Sequence, residues 1–440
     1  MQPPWLDELA DWLRIPSVSA DPAHAGDVRA AGEWVCDFLR RAGGTAELVD
    51  WDGKPLALGE LGPARRDGAP TVLLYGHFDV QPPAPLELWE SGPFEPEVRG
   101  EWLYARGVAD DKGQLYVLLK AAGDLAADGA LPVHVRVACD GEEEIGGRSV
   151  VDYVGADDRG AHACVIFDSG MESRGAPAFN IATRGLVGFV LAVRAGARDL
   201  HSGMYGNAAQ NAVHALMQTL GGILPRDGRL PEPLREGIAE PTDEEREAWA
   251  LLPAGREKLE EAGAVPYDGR AADEFYARTW AEPSVDVHGI LGGKPGLRNT
   301  SIAATAEAMF SIRLAPGQQP DPVASVAERL LREAAPDGVE LELQREPPTA
   351  PGLVDPESPV VQLGLEAFER ALGRRPLLVR SGGTLPIMPA LAERGIPTIL
   401  TGFALPQSNV HSPNERILVE YLESGLLAAR ELLVTLARLR

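Results

Sequence analysis

Apolar residues recur at helical spacing through PWLDELADWLR and GDVRAAGEWVCDFLRRA, which predicts helices over about 4–14 and 26–42. Short blocks rich in branched and aromatic residues, AELVDW, TVLLYGHFDV, VHVRVACD and ACVIFD, predict strands. Between the second and third of these a helix is expected from Lys112 to about Asp128, and between the third and fourth a shorter one over RSVVDYVG. Strand alternating with helix implies an α/β fold: a doubly wound, mostly parallel sheet with helices on both faces. Ligands of such sheets bind beyond the carboxyl ends of the strands, so the residues that end each strand are the ones to inspect.

Near Arg184 the rhythm changes. LVGFVLAVRAG, TAEAMFSIRLAP and VELELQRE read as strands, separated by the helical runs GNAAQNAVHALMQTLGGIL and PVASVAERLLREAA. That order of elements describes a compact α+β unit. Residues 222–285 are rich in proline, charge and Trp/Tyr, and PEPLREGIAEPTDEEREAWALLPAGREKLEEAG predicts a helical surface excursion rather than a disordered linker. From SPVVQLGLEAFERALG the α/β style returns, with a strand at IPTILTG and a last helix from about Glu420. The expected organisation is one domain over 1–185 and 350–440, with an α+β domain inserted over 186–349.

Composition narrows the class. A chain of 440 residues, 45% hydrophobic and 24% charged, has ample core for roughly two or three globular domains and is expected to be soluble. No stretch stays apolar for the roughly 18 residues of a membrane span. The start, MQPPWLDELADWLRIPSVSA, is acidic and amphipathic and lacks the basic residues and apolar block of a secretion signal, so a cytoplasmic protein is expected. Cys36, Cys139 and Cys164 fall outside any CxxC pattern and read as buried free thiols. A formal net charge of −24 argues against nucleic acid or an anionic membrane as partner, since both attract basic patches.

The strand ends carry the candidate chemistry. His77 and Asp79 sit two apart in LLYGHFDVQP, on one side of an extended chain. ARGVADDKG sets Asp110 in a glycine-flanked loop before a helix, where capping alone explains one acid but less readily two. CDGEEEIGG bunches acids after a buried-looking strand. Neighbours there project in opposite directions, so Glu143 and Glu144 can divide two tasks, one binding metal and the other moving a proton. VIFDSG supplies Asp168 and SNVHSPNE supplies His411. Each has an ordinary explanation alone: a strand end, a cap, a solvated acidic turn, a turn former, a surface imidazole. Together His77, Asp110, Glu144, Asp168 and His411 form an oxygen and imidazole set suited to two divalent cations, without thiolate.

With these residues in hand, the chain resembles the di-zinc metallopeptidase family of carboxypeptidase G, aminoacylase, succinyl-diaminopimelate desuccinylase and carnosinase. GHFDV, ARGVADDKG, GEEEIGG, FDSG, DLHSGMYGN and VHSPNE occur in the family's order from residue 76 to 415. The resemblance implies Asp110 bridging two Zn2+ ions (Mn2+ or Co2+ as alternatives), with His77 and Asp168 on one and Glu144 and His411 on the other. It implies Glu143 as general base and Asp79 as the carboxylate that steadies His77. The inserted domain matches the family's lid and dimerisation domain, whose DLHSG histidine, here His201, reaches a neighbouring subunit's site, so a homodimer is implied. Arg313, Asn299 and Thr300, and the SGGTLP run with Gly383 and Thr384, resemble substrate-carboxylate contacts of the dipeptidase branch. LRNTSIAAT departs there from the usual Asn/Thr-Val-Ile-Pro run. The expected activity is cleavage of an amide bond beside a free carboxylate, most directly in a dipeptide. An N-acyl amino acid deacylase and a non-catalytic scaffold of the same fold remain as alternatives.

Overall fold

A computed structural model describes residues 3–63, 68–293, 296 and 299–439. The chain folds into two compact units. One takes in Met1–Ile181, Val354–Val379 and Pro386–Arg440, and the other Ala182–Leu353 with Arg380–Leu385.

The first unit is built on a sheet whose strands run in the order Thr45–Trp51, Lys54–Leu61, His134–Asp140, Thr71–His77, Ala163–Phe167, Thr398–Thr401 and Ala178–Thr183. The four from His134–Asp140 to Thr398–Thr401 are parallel, and the flanking pairs are antiparallel. The central strands are buried almost without interruption, the signature of a sheet covered on both faces. The opening hairpin turns at Asp52 and Gly53, both at positive φ, as a two-residue loop between right-twisted strands requires. The hairpin's second strand, KPLALGEL, is absent from the expectations above although that Asp-Gly turn announces it. Ala178–Thr183 and the small sheet of Glu97–Arg99, Trp102–Tyr104 and Arg416–Leu418 were also unforeseen.

Helices Lys112–Ala127, Pro359–Leu372 and Val419–Leu436 pack together over this sheet. Beneath the strand ends lies a knot of rings: Phe167 and Phe403 have centroids 5.5 Å apart, Phe179 and Phe368 4.9 Å, and all four are buried. The three cysteines are buried and free.

In the second unit an antiparallel sheet orders Ser284–Gly292, Thr305–Leu314, Gly185–Arg194 and Glu340–Arg345. Strict alternation along Thr305–Leu314 turns Ala306, Ala308, Phe310, Ile312 and Leu314 to the core and their neighbours away from it. Phe189 and Phe310 stack at 4.9 Å beneath helices Ala212–Leu220 and Pro320–Ala334. The edge strand Ser284–Gly292 was not foreseen, because its glycines and exposed apolar residues break the alternating pattern. Within the excursion, helix Asp243–Trp249 starts with a capping box in which the Thr242 hydroxyl accepts from the Glu245 amide and the Glu245 carboxylate from the Thr242 amide. Among the described residues no helix is long and apolar enough to cross a membrane.

Candidate metal centre

Strand register assembles the site. His77 ends its strand opposite Asp140, so the loop carrying Glu143 and Glu144 leaves the sheet beside it. On the other side Tyr75 pairs with Ile166, which brings Asp168, two residues on, alongside His77. Asp110 and Asp111 precede helix Lys112–Ala127, joined by a cis peptide bond. The strand carries Gly76 at this point for a steric reason. A Cβ there would meet Asp111 Oδ2 at 2.6 Å, and that oxygen instead accepts from the His77 amide at 3.3 Å.

Asp110 stands between the two imidazoles. Its Oδ1 lies 3.0 Å from His77 Nε2 and its Oδ2 2.9 Å from His411 Nε2. Asp168 Oδ1 is 3.9 Å from His77 Nε2, and Glu144 Oε2 is 3.1 Å from His411 Nε2. Two triplets result, His77–Asp110–Asp168 and Asp110–Glu144–His411, each with its ligand atoms within 4.8 Å of one another. Tetrahedral ligands about 2.1 Å from a zinc ion lie about 3.4 Å apart, so both triplets have the spacing a cation needs. Glu144 Oε1 adds a buried acceptor with no hydrogen-bond partner among the described residues. The donors therefore fit one divalent cation in each triplet, with Asp110 shared.

Electrostatics agree. Burial alone would raise Asp110, yet hydrogen bonds from His411 and His77 hold its carboxyl well below the usual carboxylate range. Burial opposes charging of His77, but its bonds to Asp110 and Asp79 keep it protonated well above the ordinary range, and Asp110 and then Glu144 push His411 to about 10. Asp168 is pushed up to about 7 by burial and then by Asp110 and Glu144. Glu143 rises to about 9, through burial first and then the charges of Asp168, Asp110 and Glu144. Crowded carboxylates that retain protons are what a cation among them would relieve.

Asp79 has more contacts than the motif suggests. Its carboxylate accepts from the amides of Glu143 at 3.2 Å and Glu144 at 3.1 Å, while His77 Nδ1 lies 3.1 Å from the Asp79 carbonyl and 3.4 Å from its Oδ1. Gln81 Nε2 donates to Glu144 Oε2 at 2.9 Å. Glu415, fully buried, accepts from Arg106 Nη1 at 2.7 Å and from the amides of Gly107, Ala109 and Asp110 at 2.9, 2.8 and 3.1 Å. Neither Gln81 nor Glu415 was singled out from sequence, though Glu415 closes the VHSPNE run.

The other candidates lie in the second unit. His201 pairs with Ser301 in a two-residue ladder, and the Thr300 carbonyl accepts from the Ser202 amide at 3.0 Å. The Gly203 amide donates to His201 Nδ1 at 3.1 Å, which leaves Nε2 as the N–H donor on an exposed ring. Asn299 Oδ1 accepts from Ser301. Leu297 and Arg298 of the LRNTSI run lie outside the described residues. Separately, Arg313 Nη1 donates to Thr384 Oγ1 at 2.7 Å, and the Gly383 amide to Ser381 Oγ at 3.1 Å.

A mostly parallel sheet with two triplets of metal-binding spacing beside its strand ends is an arrangement suited to a metal-dependent hydrolase. The model of peptidase family M20/M25/M40 matches residues 73–435, and the chain belongs to that family. It is 29% identical over 443 residues to the cysteinylglycine-S-conjugate dipeptidase of Corynebacterium striatum, covering 98% of this chain and 95% of that one. Similarity to human Beta-Ala-His dipeptidase is 27% over 447 residues, covering 94% and 87%. Among solved structures, the M20 family metallo-carboxypeptidase Sso-CP2 of Sulfolobus solfataricus superposes with a TM-score of 0.85 at 26% identity, over 98% of this chain and 99% of the other.

Proposed function

We propose that the protein is a dipeptidase that holds two zinc ions in the two triplets and cleaves the amide bond beside a free carboxylate. The observation that carries this reading is Asp110, with one oxygen toward each imidazole and Glu143 held next to Glu144 by the Asp79 carboxylate. The relatives' dipeptidase activities support the substrate class. When bound, the cations supply Lewis acidity to the scissile carbonyl and to the attacking water.

The chain's own residues do the rest. Glu143 takes a proton from the water at its carboxylate and returns it to the leaving amine nitrogen. Asp79 fixes the backbone that aims Glu143, and Gln81 fixes Glu144. The second unit acts as lid and dimerisation domain. His201, with its Nε2–H exposed, donates to the developing oxyanion in the partner subunit of a homodimer. Arg313, Asn299, Thr300, Gly383 and Thr384 receive the substrate's carboxylate. We place the enzyme in the cytoplasm, as its reading as a peptidase of small peptides suggests.

The test is hydrolysis of free dipeptides and of N-acetyl amino acids by zinc-loaded wild type and Glu143→Ala, with bound metal counted in both. Cleavage of free dipeptides, reduced by roughly 10²–10⁴-fold in the variant at unchanged metal content, is expected. Turnover of N-acetyl amino acids alone would move the assignment to a deacylase, and an undiminished variant would remove Glu143 from the scheme.

A further inference from the structure

Among the described residues, two neighbouring guanidiniums of the second unit lack counter-ions. Register places Arg313 opposite Leu186, and Arg184, just ahead of that strand and two residues before Leu186, is its diagonal neighbour. Such neighbours lie about 7–8 Å apart. Among the described residues neither has a carboxylate within 4.0 Å. Arg184 is only 6% exposed, and its hydrogen bonds go to neutral groups: Nη1 to the Thr279 carbonyl at 3.0 Å and Nη2 to Ser284 Oγ at 2.5 Å. Its Nε is buried and has no hydrogen-bond partner among the described residues.

Arg380 provides the contrast. It is as deeply buried at 2% exposed, but Glu245 neutralises it through two hydrogen bonds of 2.6 and 3.1 Å. Among the described residues Asp286 alone acts on Arg184 as an opposite charge, from a distance. Burial first, and then the charge of Arg313, lower its proton affinity to about 10, so it stays a cation at neutral pH. A buried charge without a counter-ion is costly, and it acts at longer range because water does not screen it. Both arginines also hold one loop. The Arg184 amide donates to the Gly383 carbonyl at 2.9 Å, and Arg313 binds Thr384.

We infer that Arg184 is a positioning residue whose unneutralised charge keeps the face formed by Arg313, Gly383 and Thr384 positive, making that face selective for the carboxylate end of the substrate. Arg184 does this through space and through the loop, without touching substrate. The inference rests on the reading of Arg313 as a carboxylate contact.

The test compares two competitive inhibitors of the zinc-loaded enzyme, the reduced-bond isostere of Ala-Gly (CH2–NH in place of the amide) as free acid and as carboxamide. Wild type is expected to bind the acid at least tenfold more tightly. Arg184→Met lowers that ratio about five- to tenfold, whereas Arg184→Lys keeps it within about twofold. Ser284→Asp, at the strand position paired with Arg313, sets a carboxylate against both guanidiniums and lowers the ratio with both arginines still in place, so the test survives if Arg184→Met does not fold. Equal weakening of acid and amide, or an unchanged ratio in Ser284→Asp, overturns the role of Arg184. A wild type that does not discriminate overturns the carboxylate reading of Arg313 itself.

Discussion

Glu415 shows what a motif reading misses at the scale of one residue. The VHSPNE motif points to His411, but Glu415 ties the loop behind His411 to the amides around Asp110. Its carboxylate is acceptor-only and faces four donors, so Glu415→Gln turns an N–H group toward at least one backbone N–H. We expect that variant to keep its fold and hold metal about ten- to hundredfold more weakly, measured as zinc retained against graded chelator. Wild-type retention would mean that Asp110 needs no such support. Gly76 makes a second prediction. In Gly76→Ala the new methyl meets Asp111 Oδ2 and Leu115, and unfolding in denaturant should show a loss of about 1–3 kcal/mol. The ligand candidates were legible because each stands in a short polar motif, four of them at or just after a strand end or just before a helix and His411 in a Ser/Asn/Pro-rich loop. Asp111, Gln81 and Glu415 were not, because their contacts are with residues far along the chain.

At the scale of elements, period and length decided what could be read. The parallel strands are continuous apolar blocks, and helices such as Ala25–Arg41 and Pro359–Leu372 are strongly periodic, so both were legible. Ser284–Gly292 and the three-residue strands of the small sheet offer too few residues, or too irregular a pattern, to stand out. Packing is less legible still: nothing in the linear pattern says that Phe167, Phe179, Phe368 and Phe403 meet. Phe368 touches the other three rings, with centroids 6.0 Å from Phe167, 4.9 Å from Phe179 and 6.0 Å from Phe403. Phe368→Ala should therefore cost about 3–5 kcal/mol in denaturant unfolding. Since Asp168 directly follows Phe167, the same variant should also loosen the His77–Asp110–Asp168 triplet, seen as weaker zinc retention with Glu144 and His411 unchanged. A loss of stability with full metal affinity would show that the aromatic knot supports the sheet but not the site.

For the whole molecule, what matters is where the candidate ligands come from. His77, Asp110, Glu144 and Asp168 belong to the first stretch of the chain and His411 to the last, yet all five fall in the first unit. Cations that bind the folded form would therefore fasten the returning segment to the sheet and stabilise this unit alone. At a free concentration a hundred times Kd, one site contributes about 2.7 kcal/mol. Without them Glu143 and Asp168 have raised proton affinity while Asp110 stays ionised between charged imidazoles, which substitutes hydrogen bonds for coordination. Chelation should thus abolish activity reversibly and lower the melting transition of the first unit. The second unit, with its own core around Phe189 and Phe310, should melt where it did before. Calorimetry with chelator, and again after zinc is restored, reads both transitions. A shift of the two together would mean that the units unfold as one, so that metal bound in the first also stabilises the second.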